Sequence, residues 1–168
     1  DPQYSRYVRG EYSIVVDPSG TSLKFGASDS KSNPGFQIEV LEIESTARSY
    51  YVGVSQPLIR TREENWNVSA QFSLNNQETS ILQTRLYQDR LRTLQLSTLY
   101  NRVDSWAGAN LASASLTQGL DVFNATRTGQ ANLSRANGHS DFTKITTDLS
   151  RMQSLGSNFS LLGSFSGQ

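Results

Sequence analysis

The chain has 168 residues, a formal net charge of zero, 18% charged residues and no cysteine. The absence of cysteine excludes a disulfide scaffold, thiolate metal sites and thiol catalysis. Without a net positive charge or a basic stripe among its aromatics, nucleic-acid binding has no support. The hydrophobic fraction is low, 36%, and Ser, Thr, Asn and Gln supply most of the polarity, so disorder driven by charge is not expected. No run of apolar residues is long enough for a membrane-spanning helix, and DPQYSRYVRG lacks the apolar centre of a signal peptide.

Segments of period two recur from end to end. GEYSIVV sets Tyr12, Ile14 and Val16 against Glu11, Ser13 and Val15, and SLKFGA sets Leu23, Phe25 and Ala27 against Ser22, Lys24 and Gly26. SYYVGVSQ (49–56) follows. NWNVSAQFSLNN (65–76) is the cleanest, with Trp66, Val68, Ala70, Phe72 and Leu74 on one side and Asn67, Ser69, Gln71 and Ser73 on the other. TLQLST (93–98), NLASASLTQ (110–118), FTKITTDLS (142–150) and NFSLLGSF (158–165) complete a set of about eight strands. By itself this alternation fits two architectures. A soluble sheet buries the apolar parity, whereas a membrane barrel turns it to lipid.

The connections separate the two. DPSG (17–20) is a tight turn, and PLIRTREEN (57–65), RVDSWAGA (102–109) and QSLGS (153–157) are short. SDSKSNPGFQIEVLE (28–42), NNQETSILQTRLYQDR (75–90) and GLDVFNATRTGQANLSRANGHSD (119–141) are read as long. Short turns alternating with long loops mark an outer-membrane β-barrel, with the turns in the periplasm and the loops outside. Trp66, Tyr100, Trp106 and Tyr50, near strand ends, suit an interfacial girdle. The first strand then runs inward and the last outward, which leaves both ends of the chain on the outer side. A strand edge left open in lipid is costly. The expected fold is therefore an all-β antiparallel up-and-down meander, with residues 1–168 the central part of a larger transmembrane barrel.

Several stretches carry a family resemblance. QPLIRTREENWNVSAQF, TRLYQDRLRTLQLSTLYNRVD, LTQGLDVF, LSRANGHSDFTKITTDLSRMQSL and NFSLLGSFSGQ occur in order, over roughly residues 34–168. Together they resemble the transporter component of bacterial two-partner secretion, the ShlB/FhaC/HecB-type haemolysin secretion/activation family. The resemblance implies a monomeric outer-membrane barrel of about sixteen strands. It also implies periplasmic polypeptide-transport-associated domains and a plug helix, which this sequence does not contain. The implied partners are a secreted exoprotein of haemolysin or adhesin type and the outer-membrane bilayer. The family's VRGY loop is expected just beyond Gln168. Val8–Tyr12 (VRGEY) reads similarly but sits in a predicted strand and is not given that role. A passive porin and a soluble β-sandwich adhesin or carbohydrate-binding module are the competing readings.

No enzymatic chemistry is expected. His139, the one histidine, has no partners at ligand spacing, and no GxSxG context surrounds any serine. No cofactor or metal is implied. The mixed charges at 60–64 read as a solvated turn, and the NxS/T triplets at Asn67, Asn124, Asn132 and Asn158 carry no inference in a bacterial protein. The candidate functional set is the polar parity of the strands, with Glu11, Lys24, Asn67, Gln71, Gln95, Lys144 and Asp148 expected to line a lumen.

Overall fold

The computed structural model describes residues 5–34, 40–135, 138–156 and 158–168. Its eight strands are β1 (Ser5–Val15), β2 (Ser22–Ser32), β3 (Glu44–Arg60), β4 (Glu64–Ile81), β5 (Thr84–Val103), β6 (Gly108–Gly119), β7 (Thr143–Ser154) and β8 (Ser160–Gly167). They form one sheet in chain order, each strand antiparallel to the one before. Each predicted strand lies wholly or largely inside an observed one. No helix among the described residues is long and apolar enough to cross a membrane.

One end of the sheet carries only tight connections. Gly20, at φ 91°, donates its N–H to the Asp17 carbonyl at 3.1 Å and closes the first turn. At 61–63 the Thr61 hydroxyl accepts the Glu64 N–H at 2.9 Å. The turn at 104–107 and the bond from the Leu155 N–H to the Phe159 carbonyl, at 2.9 Å, complete this end. The opposite end carries the segments 33–43 and 120–142. Parts of the predicted connections, at 35–39, 136–137 and 157, lie outside the described residues.

The third connection at that end corrects the sequence reading. Residues 75–90 are not a long loop but the outer halves of β4 and β5, paired up to Ile81↔Thr84. They meet at a two-residue turn, Leu82–Gln83, with φ of 48° and 60°. Positive φ at both central residues is the geometry whose twist matches that of the strands it joins.

Segment 120–142 completes an edge. β6 pairs with β5 only as far as Thr93↔Gly119, so the outer part of β5 would present unpaired backbone. Leu120 N–H donates to the Arg92 carbonyl at 2.8 Å, Thr126 N–H to Arg90 at 2.8 Å, and Gln88 N–H to Asn132 at 2.7 Å. The Thr126 hydroxyl accepts the Arg90 N–H at 2.7 Å. Phe123 from this segment stands edge-on to Phe72, with ring centroids 6.1 Å apart. Phe72 keeps its predicted apolar parity, and its ring has Phe123 for a neighbour.

The sheet has no second layer, and Ala125 is the one buried apolar residue among those described. One face is nonetheless strongly apolar. Ile14, Leu23, Val54, Ala70, Leu96, Leu116 and Ile145 stand side by side across seven strands. Apart from Ala70, these side chains are between 38% and 61% exposed. Flanking rows hold Tyr12, Phe25, Val52, Phe72 and Leu94 on one side, and Trp66, Tyr100, Ala112, Leu149 and Phe165 farther down the other. Charge returns at both margins, as Asp29–Arg48–Asn76–Arg90 above and Glu64–Arg102–Asn110–Arg151 below. From Leu74 to Trp66 the apolar stretch of β4 runs about 27 Å along the strand, or roughly 20 Å in height at the usual barrel tilt. Trp66 and Tyr100 meet edge-to-face at 6.5 Å at its lower margin. Such a surface is far larger than a soluble monomer leaves uncovered.

Candidate functional site on the polar face

Successive residues of a strand point to opposite faces, so the register decides which polar side chains meet. All seven candidates fall on the face opposite the apolar band. Lys24, Gln71, Gln95 and Lys144 share one cross-strand row, Lys24↔Gly53↔Gln71↔Gln95↔Thr117↔Lys144. Asn67 and Asp148 share another, Asn67↔Leu99↔Ser113↔Asp148. Glu11 stands in a third, Glu11↔Gly26↔Tyr51↔Ser73↔Thr93↔Gly119. The set is a wall and not a cluster. Lys24 and Lys144 are five strands apart, about 24 Å at the usual spacing.

Between the first two rows runs one of hydroxyls, Ser22↔Ser55↔Ser69↔Ser97↔Ser115↔Thr146. Ser55 and Asn67 are hydrogen-bonded to each other, with the Asn67 amide donating at 2.8 Å, and Ser115 and Thr146 are 2.5 Å apart. Ser113 donates to Asp148 at 3.4 Å, and the Gln71 amide to Ser73 at 3.0 Å. Apart from the Asp148 carboxylate, the partners are short and neutral. They satisfy one another loosely and leave lone pairs and donors facing outward.

Glu11 belongs to a local group that the sequence did not reveal. Arg9 pairs with it at 2.6 Å, and the Tyr51 ring lies across Gly26 toward that pair. A Cβ on Gly26 would come within 2.7 Å of the ring, so the glycine makes the crossing possible. Leu99, Leu111, Met152 and Leu162 also lie on this face, stepping diagonally toward the short-turn end. Their parity was legible in the sequence, but their adjacency depends on register.

A single sheet with one apolar face, one hydroxyl-lined face and tight turns at one end is a barrel wall, and comparison with known proteins agrees. Residues 1–168 match the family described as haemolysin secretion/activation protein ShlB/FhaC/HecB. The chain belongs to this family. Its proteins are secretion transporters of the outer membrane and not an enzyme family. Among solved structures, CdiB from Escherichia coli matches with a TM-score of 0.72 at 15% identity, over 95% of this chain and 30% of that one. The chain thus spans under a third of the length of that structure. No curated protein matches it.

His139 in this ShlB/FhaC/HecB-family chain lies 2.8 Å from Asp141, both exposed. No group of metal-ligating side chains occurs among the described residues. The strongest local electrostatics are at the short-turn end. Asp104 accepts the N–H groups of Trp106 and Gly108, both at 3.0 Å, the Asn110 amide at 3.0 Å and the Arg151 guanidinium at 2.5 Å. Arg151 and Asn110 hold the Asp104 carboxyl well below the usual carboxylate range. Asp17, bonded by the Ser19 hydroxyl and by Thr21, is lowered to about 2. Because both folded values are depressed, their stabilisation is complete above the unfolded value of about 3.9 and is lost as pH falls toward the folded value. Amide protection at Gly20 and Gly108, measured relative to intrinsic exchange at each pH, is therefore expected to hold down to about pH 4 and to fall toward pH 2. Protection that instead falls between pH 7 and 5 would show that other groups govern these turns.

Proposed function

We propose that residues 1–168 form the central part of an outer-membrane barrel through which a specific large secreted protein, of haemolysin or adhesin type, leaves the cell. In this reading the apolar face meets lipid and the polar face lines the lumen. The observation that carries it is the pairing of an uncovered apolar band with a face of registered hydroxyls and amides. Glu11, Lys24, Asn67, Gln71, Gln95, Lys144 and Asp148 then act together as a hydrated wall. Neutral hydroxyls exchange hydrogen bonds with a passing unfolded chain as readily as with water, and sparse charges of both signs hold no segment tightly. No bond is made or broken, and folding of the exported chain at the surface supplies the direction. Each barrel acts as a monomer.

Family membership favours export of a protein over a passive porin. The sandwich alternative needs a second sheet, and the described strands form one.

The orientation is testable with single cysteines, since residues 1–168 carry no native thiol. In the full-length transporter in vesicles, Gln95→Cys is expected to react with a membrane-impermeant maleimide and Leu96→Cys only with a bilayer-confined one. Exchange of the two reactivities would invert the faces. Deleting the full-length gene should stop release of one large protein and leave small-solute uptake unchanged, and the reverse pattern would indicate a porin.

A further inference from the structure

A cavity of about 460 Å3 lies on the apolar-parity face immediately above the apolar band, lined by Arg48, Asn76, Gln88, Arg90, Arg92 and Phe123 among others. Arg48, Asn76 and Arg90 are direct cross-strand partners on β3, β4 and β5. At the usual strand spacing this places Arg48 and Arg90 about 10 Å apart, with Asn76 between them. Arg92 is one step down the same side of β5.

The cavity is richer in positive charge than its own carboxylates can balance. Arg92 is 5% exposed, yet all its partners are neutral: Phe123 O at 3.2 Å, Asn75 O at 3.1 Å, Leu91 O at 2.9 Å and Asn76 Oδ1 at 2.8 Å. Among the described residues, no carboxylate pairs with Arg90 or Arg92. Arg48 gives its Nε to Asp29 at 2.9 Å, and Asp29 is shared with Arg6. Glu78, also on the wall, is engaged by Arg85 at 2.8 Å and Gln88 at 2.9 Å. Arg92 keeps one N–H beyond these four bonds, and with Arg48 and Arg90 lining the same recess these guanidinium groups match the oxygens of a phosphate.

Position selects the source of that phosphate. Arg92 stands opposite Leu74 in the uppermost row of the band, and Arg48 and Arg90 share the row directly above it. With the apolar band in lipid, an orientation taken from the proposed function, this row stands at the headgroup level of the outer leaflet. We propose that the Arg48–Arg90–Arg92 cavity binds the phosphate of a phosphorylated glycolipid in that leaflet, with Asn76 and Gln88 donating to the phosphate or the sugar. The acyl chains then descend along the Tyr50 and Leu74 side of the band. Because Arg92 also ties Phe123 and Asn76 together, an occupied site fastens segment 120–142 to the strands at the membrane surface.

The test uses the purified full-length transporter and native mass spectrometry. The probes are diphosphorylated lipid A, its phosphate-free counterpart, and inorganic phosphate as competitor. Wild type is expected to retain the phosphorylated lipid. Arg90→Gln, at a side chain with no hydrogen-bond or ion-pair partner among the described residues, and the Arg48→Gln/Arg90→Gln pair are expected to lower retention by about tenfold or more. Heat-modifiable electrophoretic migration should show the same folded barrel in all three. Equal retention by the variants, or no preference for the phosphorylated lipid, overturns the proposal. Full displacement by millimolar inorganic phosphate identifies a free-anion site and overturns the lipid assignment. If the Gln95 and Leu96 labels sit as expected while retention is unchanged in Arg90→Gln, the glycolipid site fails and the barrel orientation stands.

Discussion

Leu96→Arg is expected to destabilise the folded transporter by about 2–4 kcal/mol, because it sets a guanidinium near the middle of the apolar band. Leu96 lies between Ala70 and Leu116 in the central row, with apolar neighbours on every strand and no carboxylate in reach. With this face in lipid, as proposed, the arginine has no nearby headgroup toward which to extend, so most of the desolvation cost remains. One residue away, Gln95 faces Gln71 and Thr117 on the opposite side of the same strand. Gln95→Arg is expected to change stability by no more than about 0.5 kcal/mol. Urea unfolding of the full-length protein in lipid vesicles measures both. The expected gap corresponds to roughly tenfold or more in the folding equilibrium, and equal effects would contradict the assignment of the faces.

Gly119→Ala is expected to release segment 120–142. A Cβ at Gly119 would fall 1.8 Å from the Ser140 carbonyl oxygen and 2.7 Å from the Phe142 ring. The first obstacle is backbone, so no rotamer relieves it, and Ser140 is itself buried. Gly119 also donates its N–H to the Phe142 carbonyl at 2.7 Å, which fixes the approach. The segment must lift away at an expected cost of about 1–3 kcal/mol. Amide exchange should then quicken at Leu120, Thr126 and Gln88, the positions that seal the outer edge of β5. Gly10→Ala is the matched control, since nothing lies within 4 Å of its added carbon. Unchanged exchange in Gly119→Ala would mean that the segment is held elsewhere.

The strand count and the parity of each strand were legible because the two faces of the band differ so sharply in polarity. From Trp66 to Leu74 no charge interrupts the apolar side, so a period of two is unmistakable. The same signal fails in residues 75–90, where Asn75, Asn76, Gln77 and Glu78 are polar on both parities. A strand wetted on both faces has no apolar side to reveal its period. Its turn carries Leu82 and Gln83 in place of the Asn-Gly or Asp-Gly pairs that announce such a geometry, so nothing local marked the hairpin. The candidate site was legible residue by residue. Its rows were not, because alignment of Lys24 with Lys144 depends on five successive registers, and a slip of one residue in any of them would break it. The Tyr51–Gly26 crossing and the Arg90 edge seal join residues distant in the chain, for which local pattern carries no information.

The length of β4 and β5 has a consequence at the cell surface. About ten residues suffice to cross the membrane, yet these strands run for 18 and 20. From Leu74 to Ile81 the hairpin rises a further 24 Å or so along its own axis, as a stiff paired ribbon. In the proposed orientation, Leu82 and Gln83 at its tip are among the first atoms that an antibody, a phage or a neighbouring cell would meet. With that orientation an epitope inserted between them would be displayed well clear of the barrel wall, and immune pressure would be felt at this ribbon long before it reached the rows proposed to line the pore.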